Sequence, residues 1–189
     1  LSLSEKTGAP IIYGPNANPS FEAIIAEDGQ VFNIGDVTIT AIHTPGHTME
    51  STTFLLKDKD GNEEAIFTGD TLFLGDVGRP DLAQKAADMT REQLAEILFD
   101  SLRNKIMTLP KHLTVYPGHG AGSACGKNMM KETVDTLENQ LQINYALRAD
   151  MTKSEFVSEL LDGLAEPPAY FPLNVKMNKE GYQHFDQVL

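Results

Sequence analysis

The sequence is poor in cysteine and has no long apolar segment. Cys125 is the one cysteine among 189 residues, so no disulfide can form within the chain. This is typical of a reducing compartment and predicts a cytoplasmic protein. No apolar run approaches the ~20 residues that a helix needs to cross a bilayer. We therefore expect no membrane partner.

Basic residues are also scarce. Lys and Arg total 15 against 27 Asp and Glu, which gives a formal net charge of −12. This is the wrong sign for a phosphate backbone or an anionic membrane, so we expect no nucleic-acid partner. Hydrophobic residues make up 41% and charged residues 22% of the chain, values that argue against disorder. This length allows one domain with a substantial core, and we assign residues 1–189 to a single domain.

Short β-like runs dominate the first half of the chain, after an opening segment that ends at Gly8 like the tail of a helix. Strands are predicted where β-branched and apolar residues alternate or cluster between turn residues. These runs are 11–13, 31–34, 37–42, 52–56, 64–68 and, further on, 113–116. The Asp60-Gly61 turn predicts a hairpin between 52–56 and 64–68.

Helices are predicted in the second half. Two of them begin at capping boxes, Thr90 with Gln93 and Thr152 with Glu155. Pro110 and Gly163 are expected to end these two helices. Another helix is predicted from Asn128 to about Arg148, and the prolines of residues 167–172 predict an extended exit segment. Hairpins followed by helices favour stacked sheets and helices over a doubly wound parallel sheet.

Three glycine-marked turns each place a possible metal ligand directly after a β-like run. They are Thr44-Pro45-Gly46-His47-Thr48, Thr68-Gly69-Asp70-Thr71 and Tyr116-Pro117-Gly118-His119-Gly120. A glycine lets the backbone turn sharply, and a strand end is a rigid support. Two imidazoles and a carboxylate in this arrangement suit a metal site on the rim of a sheet. We therefore predict His47, Asp70 and His119 as metal ligands.

Each of these residues also has a structural interpretation. An isolated turn histidine such as His47 is more often bonded to a neighbouring carbonyl, and an aspartate after a strand, such as Asp70, often forms a turn or a cap. The glycine-rich loop around His119 could cradle a phosphate, but no Gly-Lys-Ser/Thr opens a helix there. The other histidines are expected to support a loop or to lie on the surface: His43 in the first case, His112 and His184 in the second.

Three further residues follow these turns closely. Arg79 and Asp81 are either a local ion pair that stiffens the loop, worth ~0–1 kcal/mol on a surface, or groups that orient an anionic substrate or the metal loop. Cys125 is either a small buried apolar residue or a thiol that handles sulfur near a metal. Taken alone, Cys125 favours the buried interpretation. Candidate catalytic residues are Asp70, Arg79 and Asp81.

Together, the three motifs in this order resemble the metallo-β-lactamase superfamily, especially its glyoxalase II and persulfide dioxygenase branch. The resemblance implies an α+β fold, the four-layer αββα sandwich, with the metal at an edge between two sheets. The family's His-x-His-x-Asp-His segment would precede Leu1, which implies a sandwich incomplete at its N-terminus and little activity for this chain alone.

Gly78-Arg79-Pro80-Asp81 is similar to the Gly-Arg-x-Asp of persulfide dioxygenases. Residues 117–127 resemble a subgroup whose chains continue into rhodanese domains, here beyond residue 189.

The resemblance also implies roles. His47 and Asp70 match ligands of a mononuclear Fe²⁺, and His119 matches a ligand of the second metal in members that bind a pair of Zn²⁺ ions. Such an iron site suits the oxidation of a thiol-bound sulfane sulfur to sulfite by O₂. Expected partners are a small-molecule thiol persulfide (of glutathione, coenzyme A or similar), a rhodanese domain and a second copy in a homodimer. The alternatives are a zinc-dependent thioester hydrolase of glyoxalase II type and a non-catalytic module of the same fold.

Overall fold

A mixed six-stranded sheet forms the centre of the fold. The computed structural model describes residues 1–182, apart from the side chains of residues 85 and 86, so His184 lies outside the described residues. The strands β1 to β8 are Ile12–Tyr13, Ile24–Ile25, Val31–Ile34, Val37–His43, Thr52–Lys57, Glu63–Gly69, Thr114–Pro117 and Asp135–Thr136. β1 and β2 form a separate parallel pair, and β3 to β8 follow one another across the large sheet. Every pair in that sheet is antiparallel except β6 and β7, which are parallel.

Some of the helices pack on one face of this sheet. Within residues 1–182, the α-helices α1 to α6 are Ser2–Thr7, Gln84–Ala87, Arg91–Ser101, Leu137–Ile143, Lys153–Leu161 and Phe171–Glu180. Short 3₁₀ turns lie at Pro80–Leu82 and Tyr145–Leu147, and a π-helical turn at Leu102–Ile106 continues α3. Each helix in this range is too short or too polar to span a lipid bilayer.

The core lies between the sheet and helices α3, α4 and α5, whereas α1 and α6 have no buried residues. Leu55, Ile66 and Val115 are in register on neighbouring strands and point to the same face because side chains alternate along a strand. They pack with fully buried residues of α3 and α5, among them Leu98 and Phe156. Burial of such apolar side chains stabilises the fold by roughly 1.5–3 kcal/mol each.

The opposite face of the sheet is also apolar and remains partly open. Phe54, Phe67 and Tyr116 are in register across β5, β6 and β7. The Phe67 and Tyr116 rings stack with their centroids 5.3 Å apart, and these two residues are 38% and 40% exposed. A groove of about 330 Å³ lies beside them, lined by Ile12, Phe32, Ile34, Ile39, Phe54 and Phe67.

The structure confirms the α+β class and most of the predicted elements. Gly8 ends α1 in the left-handed conformation, with φ 73°. The β5–β6 hairpin forms, and both capping boxes are present with reciprocal hydrogen bonds at Thr90 and Thr152. His112 is exposed as predicted, and its Nε2 lies 2.8 Å from Glu63 O.

Two predicted segments are wrong. The helix from Asn128 to Arg148 is replaced by an irregular stretch, then β8, α4 and a 3₁₀ turn. Long-range bonds decide this outcome, since Met130 N donates to Leu74 O and Leu137 N donates to Leu113 O. The extended exit segment is wrong from Phe171 onward, where helix α6 begins with Pro172 in its first turn, whereas residues 164–168 have no helix or strand. A proline is tolerated in the first turn because its missing N–H would have had no partner within the helix.

Candidate metal centre

The three predicted ligands lie at one edge of the large sheet. β4 and β6 are both antiparallel to β5, and β6 is parallel to β7. Strands β4, β6 and β7 therefore all end at the same edge. His47 follows the end of β4, Asp70 that of β6 and His119 that of β7. The parallel pairing of β6 with β7 was not predicted from the sequence.

The carboxylate of Asp70 lies between the two imidazoles. Its Oδ2 is 3.3 Å from His47 Nε2 and 3.2 Å from His119 Nε2. His47 is 9% exposed, whereas the His119 side chain is 44% exposed and its ring centroid lies 5.9 Å from that of Phe73. The structure thus brings the predicted residues together, and their role as metal ligands stays a prediction.

The hydrogen bonds of His47 determine which of its nitrogens can bind a cation. Nδ1 lies 2.8 Å from Arg79 O, and because a carbonyl oxygen only accepts, Nδ1 must carry the hydrogen. In the neutral imidazole, Nε2 then presents a lone pair toward Asp70 Oδ2. Facing acceptors at this distance need a proton or a cation between them. The chemistry of the donors therefore fits a bound metal ion.

Two glycines allow the backbone to approach these ligands. A Cβ on Gly118 would lie 2.6 Å from Asp70 Oδ1, and one on Gly78 would lie 2.9 Å from His47 Nδ1 and clash with Asp70 O. Neither glycine has a positive φ, so close approach rather than backbone conformation explains glycine at these positions.

Buried threonines connect the turn before His47 to the turn that carries Asp70. Thr44 Oγ1 lies 2.8 Å from Thr71 Oγ1 and 3.2 Å from Thr53 Oγ1, and Thr71 Oγ1 also donates to Thr44 O. All three residues are fully buried. The relative position of the two turns is therefore fixed by hydrogen bonds within the protein.

Solved structures share this architecture. A metallo-β-lactamase structure from Staphylococcus aureus subsp. aureus COL matches with a TM-score of 0.86 and 29% identity, over 96% of this chain and 54% of that one. The structure of ETHE1 from Myxococcus xanthus matches with a TM-score of 0.75 and 26% identity, over 94% of this chain and 68% of that one. This chain has the metallo-β-lactamase fold.

Curated proteins are also similar to parts of this chain. An atrochrysone carboxyl ACP thioesterase of Aspergillus fumigatus is 42% identical over 62% of this chain, and a probable hydroxyacylglutathione hydrolase of Schizosaccharomyces pombe is 28% identical over 82%. A probable polyketide biosynthesis zinc-dependent hydrolase, BaeB of Bacillus velezensis, is 38% identical over 56%. The chain spans 31%, 57% and 41% of these relatives' lengths. No family model matches. Neighbours and homologues together support membership of the metallo-β-lactamase superfamily.

Arg79 and Asp81 form a buried bidentate pair beside the centre of this metallo-β-lactamase fold. Arg79 Nε and Nη2 each donate to one carboxylate oxygen of Asp81 at 2.7 Å, and Nη2 also donates to Ala165 O at 2.6 Å. Arg79 is 4% exposed, and the hydrogen bonds to Asp81 raise the pKa of its guanidinium. These contacts support the interpretation in which the pair stiffens the loop, and a direct contact with substrate stays a prediction.

Cys125 lies closer to the centre than its sequence position indicated. The Sγ of Cys125, a carboxylate oxygen of Asp70 and a ring nitrogen of His119 all lie within 4.8 Å of one another. Cys125 is 9% exposed, and burial raises the pKa of its thiol. The prediction of a buried residue is correct, but its neighbours include two of the predicted metal ligands.

The sequence did not indicate Asp76, which organises the loop behind the centre. This fully buried carboxylate accepts hydrogen bonds from the backbone N–H groups of Val77, Lys127 and Asn128 and from the Tyr145 hydroxyl. Burial, followed by the nearby Asp76 charge, raises the pKa of the Tyr145 phenol far above its usual range, so the phenol remains a donor. No local pattern identifies Asp76, because most of its partners are about fifty to seventy positions away.

Proposed function

We propose that this chain carries the metal-binding part of a persulfide dioxygenase-like enzyme, which oxidises a thiol-bound sulfane sulfur to sulfite. The position of the Gly78-Arg79-Pro80-Asp81 segment carries the proposal. Its sequence resembles that of persulfide dioxygenases, and its backbone is part of the centre because Arg79 O accepts the Nδ1–H of His47. In the overall reaction the persulfide, O₂ and water give the free thiol, sulfite and protons.

The donors at the centre fit the metal that this reaction needs. Imidazole nitrogen and carboxylate oxygen from His47 and Asp70 suit Fe²⁺, with Zn²⁺ as the alternative. Asp70 Oδ2 faces a ring nitrogen of His47 at 3.3 Å, where a cation removes the repulsion between acceptors. His47, Asp70 and a further ligand would hold the iron, with His119 beside it. When bound, Fe²⁺ supplies open positions for the persulfide and O₂.

The surrounding residues position these donors. The hydrogen bond to Arg79 O fixes the tautomer and ring orientation of His47, as second partners of metal-binding histidines do. The bidentate Asp81 pair holds Arg79, and its backbone carbonyl is thereby held in place for His47. Gly118 keeps side-chain atoms away from Asp70. We include Arg79 and Asp81 in the site for this positioning role.

The partners follow from the same proposal. The substrate is a persulfide of a small thiol, of glutathione or coenzyme A type, and a rhodanese domain is the proposed supplier of sulfane sulfur. A homodimer is a further proposal. The net charge of −12 argues against both nucleic acid and an anionic membrane as partners.

The second candidate function is hydrolysis of a thioester with Zn²⁺. It is favoured by the names of the relatives, which include a thioesterase, a hydroxyacylglutathione hydrolase and a zinc-dependent hydrolase. In that case His119 would act as a metal ligand rather than as a neighbour of the metal.

The test uses the protein expressed from its complete reading frame and loaded separately with Fe²⁺ or Zn²⁺. With glutathione persulfide, the iron form is expected to consume O₂ and release an equal amount of sulfite. Asp70→Asn should lower this rate by at least about 100-fold, because the substitution replaces a ligand. Asp60→Asn, on an exposed turn, is the matched control and should leave the rate unchanged.

Two other outcomes would overturn the proposal. If the zinc form hydrolyses a glutathione thioester and the iron form consumes no O₂, the hydrolase is correct. If neither form turns over either substrate while both fold and bind metal, the non-catalytic alternative is correct.

A further inference from the structure

Helix α3 packs directly against the turn that carries His47. A Cβ on Gly46 would lie 2.6 Å from Leu98 N and would also clash with Leu98 Cβ. Gly46 has a positive φ of 138° as well, which favours glycine. Because Gly46 immediately precedes His47, the helix backbone meets the turn one residue before this predicted ligand. The turn therefore has no room to move toward the helix.

A serine on the buried side of α3 holds the same turn. Ser101 Oγ donates to Pro45 O at 2.7 Å, across 56 positions of the chain. Ser101 is buried and follows Leu94 and Leu98 on one face of the helix, at the spacing of helical turns. A serine within a helix can bond the carbonyl four residues earlier. The hydroxyl of Ser101 instead bonds a carbonyl outside the helix, in the turn of His47.

Packing alone would favour an apolar residue at this position. Leu98 and Leu102, on either side of Ser101, are fully buried members of the main apolar cluster. A hydroxyl moved from water into such surroundings costs free energy unless it forms a hydrogen bond, and alanine has the higher helix propensity. The use of serine is therefore explained by its bond to Pro45 O. Ser101 is also the last residue before the π-helical turn, and such turns occur frequently at functional sites.

The other side of the turn is held by the buried threonines. Thr44 Oγ1 lies 2.8 Å from Thr71 Oγ1, and Thr71 directly follows Asp70. The segment 44–48 is thus bonded on one side to the turn of Asp70 and on the other side to α3. Its position relative to Asp70 depends on both sets of contacts.

We propose that Ser101 is a positioning residue of the metal centre, which holds Pro45 O so that His47 Nε2 faces Asp70 Oδ2 at 3.3 Å. This inference rests on the metal centre of the proposed function but not on persulfide oxidation. In this role Ser101 acts through the backbone of Pro45 and Gly46 rather than by touching the ion. A ligand that is already held in place loses less freedom when the metal binds. Loss of the Ser101 bond should therefore weaken metal binding.

The first test is a titration of the protein expressed from its complete reading frame with Co²⁺, a spectroscopic substitute for Fe²⁺ or Zn²⁺. Ser101→Ala should bind Co²⁺ roughly tenfold more weakly, the lower end of the range for residues that orient metal ligands. The visible absorption bands of bound Co²⁺ should also shift, because they depend on coordination geometry. Alanine suits a helix interior, so this variant is expected to fold.

The matched control is Ile106→Val, five residues further along the same helical segment. This substitution removes one methyl group from the fully buried core and so destabilises the fold without touching the bond to Pro45. The Co²⁺ affinity and the absorption bands of the folded control should equal those of the unmodified protein.

A second measurement, on the metal-free protein, separates positioning from overall stability. Gly46 N donates to Thr48 O in the turn, and Phe156 N donates to Thr152 O at the start of α5. In Ser101→Ala, the acceleration of amide hydrogen exchange should be at least about tenfold greater at Gly46 than at Phe156, because the turn opens locally.

Any of three results would refute the proposal. The first is a Ser101→Ala variant with unchanged Co²⁺ affinity and absorption bands, and the second is an equal change in Ile106→Val. The third is equal acceleration of exchange at Gly46 and Phe156, which would mean that Ser101 contributes only to overall stability. Neither readout depends on turnover, so failure here is distinguishable from failure of the proposed function.

Discussion

At the scale of single residues, the centre depends on positions where a side chain has no room. Gly118 directly precedes His119, and a Cβ at this position would lie 2.6 Å from Asp70 Oδ1 and 3.0 Å from the backbone of Gly69. Gly118 N also donates to Gly69 O at 2.8 Å, which keeps the two turns in contact. An added methyl group must therefore displace the carboxylate or separate the turns.

We accordingly expect Gly118→Ala to damage the centre more than Gly120→Ala. The first variant should bind Co²⁺ roughly tenfold or more weakly and lose about 1–3 kcal/mol of unfolding free energy through overpacking. Gly120, on the other side of His119, has nothing within 4 Å of its Cβ position and no positive φ. Urea unfolding and Co²⁺ titration of both variants check this expectation. If the two substitutions have equal effects, the losses of Co²⁺ affinity and stability come from reduced backbone flexibility around His119 and not from lack of space near Asp70.

Single residues also mark what the sequence could and could not predict about the site. The proximity of His47, Asp70 and His119 was predictable because each follows a strand in a glycine-marked turn, and their role as metal ligands stays a prediction. Cys125 lies near Asp70, which is 55 positions away in the chain. The hydrogen-bond partners of the buried Asp76 carboxylate include residues as distant as Tyr145. Such contacts arise from tertiary packing, and local sequence patterns do not indicate them.

At the scale of elements, one buried carboxylate joins three segments behind the centre. Asp76 binds Val77 of its own loop, Lys127 and Asn128 of the loop that carries Cys125, and Tyr145 of the 3₁₀ turn. Next to it, the Asn144 side chain donates to the backbone carbonyls of Phe73 and Asp76. The loops beside the metal centre are therefore held by polar bonds in addition to the core packing of Leu72, Leu74 and Val77.

For this reason Asp76→Ala should destabilise the protein by about 3 kcal/mol or more, because several buried N–H groups lose their acceptor together. Tyr145→Phe removes one neutral donor and should cost only about 1 kcal/mol. The free energies of unfolding in urea give the comparison. Iodoacetamide should also react faster with Cys125 in Asp76→Ala than in Tyr145→Phe, since only the first variant releases the loop. Comparable losses of unfolding free energy in the two variants would contradict the proposal that Asp76 joins the three segments.

The same scale explains which elements were predictable. The capping boxes at Thr90 and Thr152 are local signals, and the helices begin where those signals lie. One helix was predicted from Asn128 to about Arg148, yet Met130 bonds to Leu74 and β8 pairs with β7 within that range. Tertiary hydrogen bonds outweighed a weak helical pattern at that position. The parallel pairing of β6 with β7 is likewise a contact across more than forty residues, and it brings His119 to Asp70.

At the scale of the whole molecule, the excess of acidic residues opposes compactness. The chain has a formal net charge of −12, and folding brings these charges closer together. Acidic side chains also line a shallow groove between the start of α3 and α5, which includes Glu92, Glu155 and Glu159. The ion pairs on the surface, such as Lys59 with Asp60, are worth only about 0–1 kcal/mol each. Net repulsion should therefore outweigh local attraction in the response of the protein to salt.

The melting temperature is consequently expected to rise when salt is added from low ionic strength to about 0.15 M, where the Debye length falls to about 8 Å. A gain of about 1 kcal/mol corresponds to roughly 2–4 °C for a protein of this size. Thermal unfolding followed by circular dichroism at graded NaCl concentrations measures the change. The double variant Glu96→Gln, Glu159→Gln removes charge at exposed positions and should reduce the salt response, because less repulsion remains to be screened. A melting temperature that falls with salt would mean that the ion pairs, rather than the net charge, dominate the electrostatic free energy of this fold.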